Sequence, residues 1–144
     1  MRAGCRHGEA QRRAITVAVA DRHALVRRAL IDLIGFEPGF SVVAQAGSAE
    51  MIAQQLRRTR PRLLLLEPAL LGGRGLVGLP RLLLSSPRTS AVVLADEESP
   101  VLERHAEGCG AAASVVKHAP PEELFATLRR VVAATPVAAL RVVA

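Results

Sequence analysis

The sequence predicts a single α/β domain: a parallel sheet covered by helices on both faces. Three observations predict it. Apolar runs of strand length alternate five times with helical segments along one 144-residue chain. The middle run, Pro61-Arg62-Leu63-Leu64-Leu65-Leu66-Glu67-Pro68, is an unbroken set of four leucines between prolines, as expected of a central strand buried on both faces. The composition is globular, 50% hydrophobic and 22% charged. Phe36, Phe40 and Phe125 are the only aromatic residues, so the core must be aliphatic.

Each element follows from local pattern. Ile15 to Ala20 is an apolar, β-branched run and reads as the first strand, ending at Asp21. Val26, Leu30, Leu33 and Ile34 recur at helical spacing, which predicts a helix over 24–34, broken at Glu37-Pro38-Gly39. Phe40 to Ala44 is a second short strand. Ser48 is placed to cap a helix from Ala49 to about Arg58. After the central strand, Gly72, Gly73 and Gly75 make a loop. A third helix is expected over 76–84, with Pro80 in its first turn or kinking it. Ala91 to Ala95 reads as the fourth strand, followed by a charged helix over 100–107 that stops at Gly108-Cys109-Gly110. Ser114 to Val116 is the fifth strand, ending at Lys117. Pro120-Pro121-Glu122-Glu123 starts the last helix, with proline in the first turn and acids at the positive end of the dipole. That helix is expected to end near Ala134.

Such alternation implies right-handed crossovers. It fits the small, flavodoxin-like doubly wound (βα)5 sandwich, a five-stranded parallel sheet of order 2-1-3-4-5. In that order the first and third strands lie side by side, and ligands bind beyond the carboxyl ends of the strands. Asp21, Glu67, Ala95-Asp96 and Lys117 converge there.

The chain divides into a flexible basic N-terminal tail (1–14), the domain proper (15–134) and a C-terminal tail or start of a linker (135–144), which is unusually apolar for a linker. The net charge is +6, and residues 1–14 hold four arginines against Glu9. A divided excess of this size indicates a solvated tail rather than a nucleic-acid surface. The run Arg57-Arg58-Thr59-Arg60-Pro61-Arg62 reads as a solvated helix end. Cys5 and Cys109 form neither a metal spacing nor a disulfide framework, which suits a reducing cytoplasm. No signal peptide is seen and no membrane span is expected. His23, at the start of the first helix, reads as an exposed loop residue.

Two motifs carry a resemblance. Ala20-Asp21-Arg22-His23-Ala24-Leu25-Val26-Arg27 and Val116-Lys117-His118-Ala119-Pro120-Pro121-Glu122-Glu123-Leu124, with the order of elements between them, resemble the receiver domain of response regulators. The likeness covers about residues 14–134. It is nearest to receivers that precede a helix-turn-helix of the LuxR/NarL type. The resemblance implies that two acids after the first strand and an aspartate after the third would hold Mg²⁺, and that this aspartate would accept a phosphoryl group. A Thr or Ser after the fourth strand and a Lys after the fifth would bind the phosphoryl oxygens. Such transfer depends on positioning and charge neutralisation, and Mg²⁺ wants an octahedral oxygen shell.

Only Asp21 and Lys117 match that set. The second acid falls on Arg22, the acceptor on Glu67, the hydroxyl on Ala95 and the small residue after it on Asp96. The aromatic switch position falls on Ser114, and the proline of the loop after the acceptor on Leu71. Asp21 and Glu67 are thus balanced by Arg22 and Lys117 without a metal, and an arginine at the metal position repels Mg²⁺. Lys117 is the one lysine among nineteen basic residues, a compact ammonium kept where reach and geometry matter.

The sequence therefore predicts a non-enzymatic, atypical receiver, the cytoplasmic regulatory half of a transcription factor, with no cofactor, no metal site and no conventional phosphorylation. Glu67 is expected to be a structural acid paired with Lys117 or Arg22, rather than a mimic of the phosphorylated state. Family precedent implies a homodimer through the fourth helix, fifth strand and fifth helix, with DNA contacted only by a C-terminal domain outside these residues. The alternatives are a stand-alone interaction module and a domain controlled by a small-molecule ligand at the strand ends.

Overall fold

A computed structural model describes residues 14–135. The expected N-terminal tail and C-terminal segment otherwise lie outside the described residues. Five parallel strands, β1 (Ile15–Ala20), β2 (Phe40–Ala46), β3 (Leu63–Leu66), β4 (Ser90–Ala95) and β5 (Ala113–Val116), form one sheet in the order β2-β1-β3-β4-β5. The doubly wound order is the predicted one.

Helices α1 (Ala24–Phe36) and α5 (Pro121–Ala134) cover one face of the sheet. The other face is covered by α2 (Ala49–Thr59), α3 (Leu79–Leu83) and α4 (Pro100–Gly108). Strand alternation explains the division. Val17, Val19, Leu63 and Leu65 point to the α1/α5 side, and Ala18, Ala20, Leu64 and Leu66 to the other. All four leucines of β3 are fully buried, each contributing about 1.5–3 kcal/mol through removal from water. The aromatic residues of the core cluster at one edge, where the Phe40 and Phe125 rings lie 5.3 Å apart. The Arg129 guanidinium lies over Phe40 at 5.2 Å and donates to Glu37 at 2.7 Å.

Helix ends follow local chemistry. Ser48 accepts from the Met51 amide at 3.3 Å, and Ser99 from the Leu102 amide at 3.1 Å, satisfying otherwise orphaned donors of α2 and α4. Three differences from the sequence reading bear on the fold. β2 runs two residues further, through Gln45 and Ala46, because Ala46 is buried against its neighbours while Gln45 faces out at the sheet edge. The helix expected over 76–84 is split: a 3₁₀ turn, Gly75–Gly78, precedes the five-residue α3. Glycines at both ends of that turn weaken regular helix, and Pro80 settles in the first turn of α3, where its missing N–H costs nothing. A second 3₁₀ turn, Pro68–Leu71, follows Glu67 and ends at Gly72, whose φ of 84° suits a residue without Cβ.

The third difference concerns the arginine run. Arg62 is half-buried rather than freely solvated, and its Nη1 is buried without a hydrogen-bond partner among the described residues. Its guanidinium donates to the carbonyls of Val132, at 3.1 Å, and Thr135. It thereby closes the C-terminal end of α5, where a cation also meets the negative end of the dipole. Arg57, Arg58 and Arg60 are exposed, as expected.

Candidate functional site

Register brings the two acids together. Ala20 pairs with Leu66 across β1 and β3, and the Glu67 amide donates to the Ala20 carbonyl at 2.9 Å. Asp21 and Glu67 therefore emerge side by side from adjacent strands. Asp21 is fully buried and Glu67 is 5% exposed. Lys117 reaches them from β5, where its amide donates to the Ala95 carbonyl at 2.8 Å. Arg27 braces the rim by donating to the Asp21 carbonyl at 2.8 Å and to Gln45 Oε1 at 3.1 Å. Gly47 leaves room for it, since a Cβ there would meet the Arg27 guanidinium at 2.9 Å.

Each carboxylate oxygen already faces a donor or cation of the chain. Glu67 Oε2 accepts the Arg22 amide at 2.8 Å, and Oε1 accepts the Arg22 guanidinium at 3.2 Å. Asp21 Oδ1 accepts the His23 amide at 2.8 Å. Asp21 Oδ2 has no well-angled hydrogen bond but faces Lys117 Nζ at 3.0 Å, a close ion pair. Lys117 lies further from Glu67 Oε1, at 3.9 Å, and 3.6 Å from Asp96 Oδ1.

Burial works to raise the pKa of Glu67. The Arg22 amide, the Arg22 guanidinium and the charge of Lys117 outweigh it, and hold the carboxyl below the ordinary value of 4.5. The pairing expected for Glu67 is thus chiefly with Arg22, while Lys117 belongs first to Asp21.

The other predicted positions take separate places. Asp96 points outward, its side chain 88% exposed, and touches the cluster only through Lys117. Ala95 is buried at the end of β4. Ser114 stands in β5, outside the ion-pair cluster, where it and Ala95 line a void of about 20 Å³. His23 is exposed, as expected, yet its Nδ1 lies 3.2 Å from Asp21 Oδ1 and 3.6 Å from Glu67 Oε1. Its place directly after the Asp21-Arg22 pair was the available signal of this proximity. Asp21, His23 and Glu67 each offer a ligand atom, all within 4.8 Å of one another.

The result is a small doubly wound sheet with paired acids at its switch point and a lysine directly after β5. In sequence and fold the chain resembles response regulators of the LuxR/NarL type. It is 32% identical over 118 residues to the transcriptional regulatory protein UhpA of Salmonella typhimurium. It is 31% identical over 117 residues to the DNA-binding transcriptional activator DevR/DosR of Mycobacterium tuberculosis. Each match covers 81% of this chain but only 58% and 54% of the relatives, so the chain spans little more than half their length. Among solved structures, the receiver domain of the response regulator NarL from Mycobacterium tuberculosis superposes with a TM-score of 0.71. The match covers 82% of this chain and 96% of that one, at 20% identity. No family model matches the chain.

Proposed function

We propose that this domain regulates as a receiver whose strand-end site is closed by internal ion pairs, and that it works without Mg²⁺-dependent phosphorylation. The observation that carries this reading is the engagement of all four oxygens of Asp21 and Glu67 by Arg22, His23 and Lys117. Mg²⁺ needs free oxygens in an octahedral shell, so this donor set does not fit it. A phosphoryl group on Glu67 would also lack a hydroxyl donor at Ala95 and would displace the Arg22 pair. The cluster is a set of structural acids, and we place no catalytic residue in it.

The relatives are transcriptional regulators, which supports a regulatory, non-enzymatic role in the cytoplasm, with DNA bound through a further C-terminal domain. Among the described residues, no helix is long and apolar enough to cross a membrane. The proposed self-association face is α4–β5–α5. Its groove of about 530 Å³ sets Glu103 and Glu107 of α4 against Arg130 of α5, an arrangement that can satisfy itself across a two-fold axis.

Thermal unfolding with and without millimolar Mg²⁺, and incubation with acetyl phosphate followed by intact-mass measurement, test the proposal. Neither a shift nor an added phosphoryl group is expected for the native chain. A variant carrying Arg22→Asp, Glu67→Asp and Ala95→Thr should gain the Mg²⁺ response. Phosphorylation of Glu67 in the native protein would overturn the reading.

A further inference from the structure

Charge is unevenly divided over the fold. Residues 14–89 hold ten arginines against five acids, whereas residues 90–135 hold seven acids against four basic residues. Part of each excess lines a cleft, and the two clefts lie at opposite ends of the parallel sheet.

At the carboxyl ends of β4 and β5, a cleft of about 370 Å³ has Val116, Ala119 and Pro120 as its apolar floor, and His118, Glu97, Glu98 and Glu123 also line it. At the opposite end, where the chain enters β3 and β4, Arg60 and Arg88 flank Leu84 in a second cleft of about 520 Å³. Leu84 is 77% exposed, a bulky apolar side chain set out in water. Among the described residues, Glu97, Glu98, Glu123, Arg60 and Arg88 make no ion pair.

We propose that a second copy of this chain docks head to tail, with Leu84 of one copy seated on the Val116–Ala119–Pro120 floor of the next. Arg60 and Arg88 then face Glu97, Glu98 and Glu123 around it. Shape and charge agree. The acidic cleft has room for a leucine side chain, both rims carry unpaired charges of opposite sign, and an apolar centre within a polar rim is the usual anatomy of a docking site. The contact joins two different surfaces, so it is heterologous and leaves a free cleft at each end of the assembly. It does not use the α4–β5–α5 groove.

Sedimentation velocity on the full chain, across concentration and between about 0.05 and about 0.5 M salt, tests this. The native chain should associate beyond the species its α4–β5–α5 face sustains, and lose that association as salt rises. Glu97→Arg with Glu98→Arg should abolish the salt-sensitive step, as should Arg60→Asp with Arg88→Glu. Aspartate is chosen at Arg60 because the backbone there has φ of 45°, which Asp tolerates better than most residues. Circular dichroism checks that both variants fold. Neither variant associates alone through this contact. Mixed, they should associate again, because the native acidic cleft of one meets the native basic cleft of the other, and the two charge-reversed clefts are complementary as well.

Absence of any salt-sensitive association in the native chain would overturn the proposal. So would failure of the folded variants to complement each other. If replacing Arg2, Arg6, Arg12 and Arg13 with glutamine abolishes association while the Arg60/Arg88 variant retains it, the N-terminal segment is the occupant, and the head-to-tail contact is wrong.

Discussion

Replacing Lys117 with methionine isolates the strongest charge pairing in the cluster. The perturbation keeps the length of the side chain and removes its ammonium. Lys117 Nζ lies 3.0 Å from Asp21 Oδ2, and the side chains are 14% and 0% exposed. At that separation and an effective dielectric constant of about 20, the Coulomb attraction is roughly 5 kcal/mol. Much of it is offset by the cost of taking both charges out of water. Removing one partner of a buried pair typically costs about 3–5 kcal/mol, because the other charge is stranded. Asp21 keeps the His23 amide on its other oxygen, which places the expected loss near the bottom of that range, about 3 kcal/mol. Equilibrium urea denaturation of the native chain, Lys117→Met, Asp21→Asn and the double variant closes a thermodynamic cycle. Removing both charges should cost less than the two single losses added together, with a coupling of roughly 2 kcal/mol. A loss below about 1 kcal/mol for Lys117→Met, or a double variant whose loss equals the sum of the two single losses, would refute the reasoning.

Two further predictions concern other parts of the network. Because the folded pKa of Glu67 lies below 4.5, its ionised form contributes stability that is fully present above that pH and is lost as pH falls through the folded value. Glu67→Gln should therefore flatten the acid side of the stability profile, measured by urea unfolding at a series of pH values; an unchanged slope below pH 4.5 would count against the assignment. Arg62→Met should cost about 1–3 kcal/mol by leaving the Val132 and Thr135 carbonyls without their charged donor, and amide exchange should quicken first over residues 131–135.

The sheet was readable in the sequence because its strands are short apolar runs ending in single polar residues. Asp21, Glu67 and Lys117 could be placed together from topology alone. What escaped was reach. Arg62 sits in a run of arginines that looks like a solvated helix end, and nothing local says that its guanidinium caps a helix 70 residues later. The roles of Arg22 and Lys117 were foreseen as charges, but which acid each would hold depends on distances of a few tenths of an ångström. His23 was read as an exposed loop residue and is one; its contact with Asp21 arises from the bend after β1, which brings its backbone and ring to the same carboxylate oxygen. The late start of α3 reflects competition between a helical apolar pattern and glycines at 75 and 78, a contest that periodicity does not decide.

The Asp21–Lys117 pair joins residues 96 positions apart, and the Arg22–Glu67 pair joins residues 45 apart. Contacts of such long span require β1, β3 and β5 to have found their places already, so they belong to the late stages of assembly. Interactions absent from the folding transition state leave the folding rate nearly untouched and act by slowing escape from the native state. The ion pairs at the strand ends thus serve as a latch, set after the sheet has formed, that lengthens the lifetime of the fold.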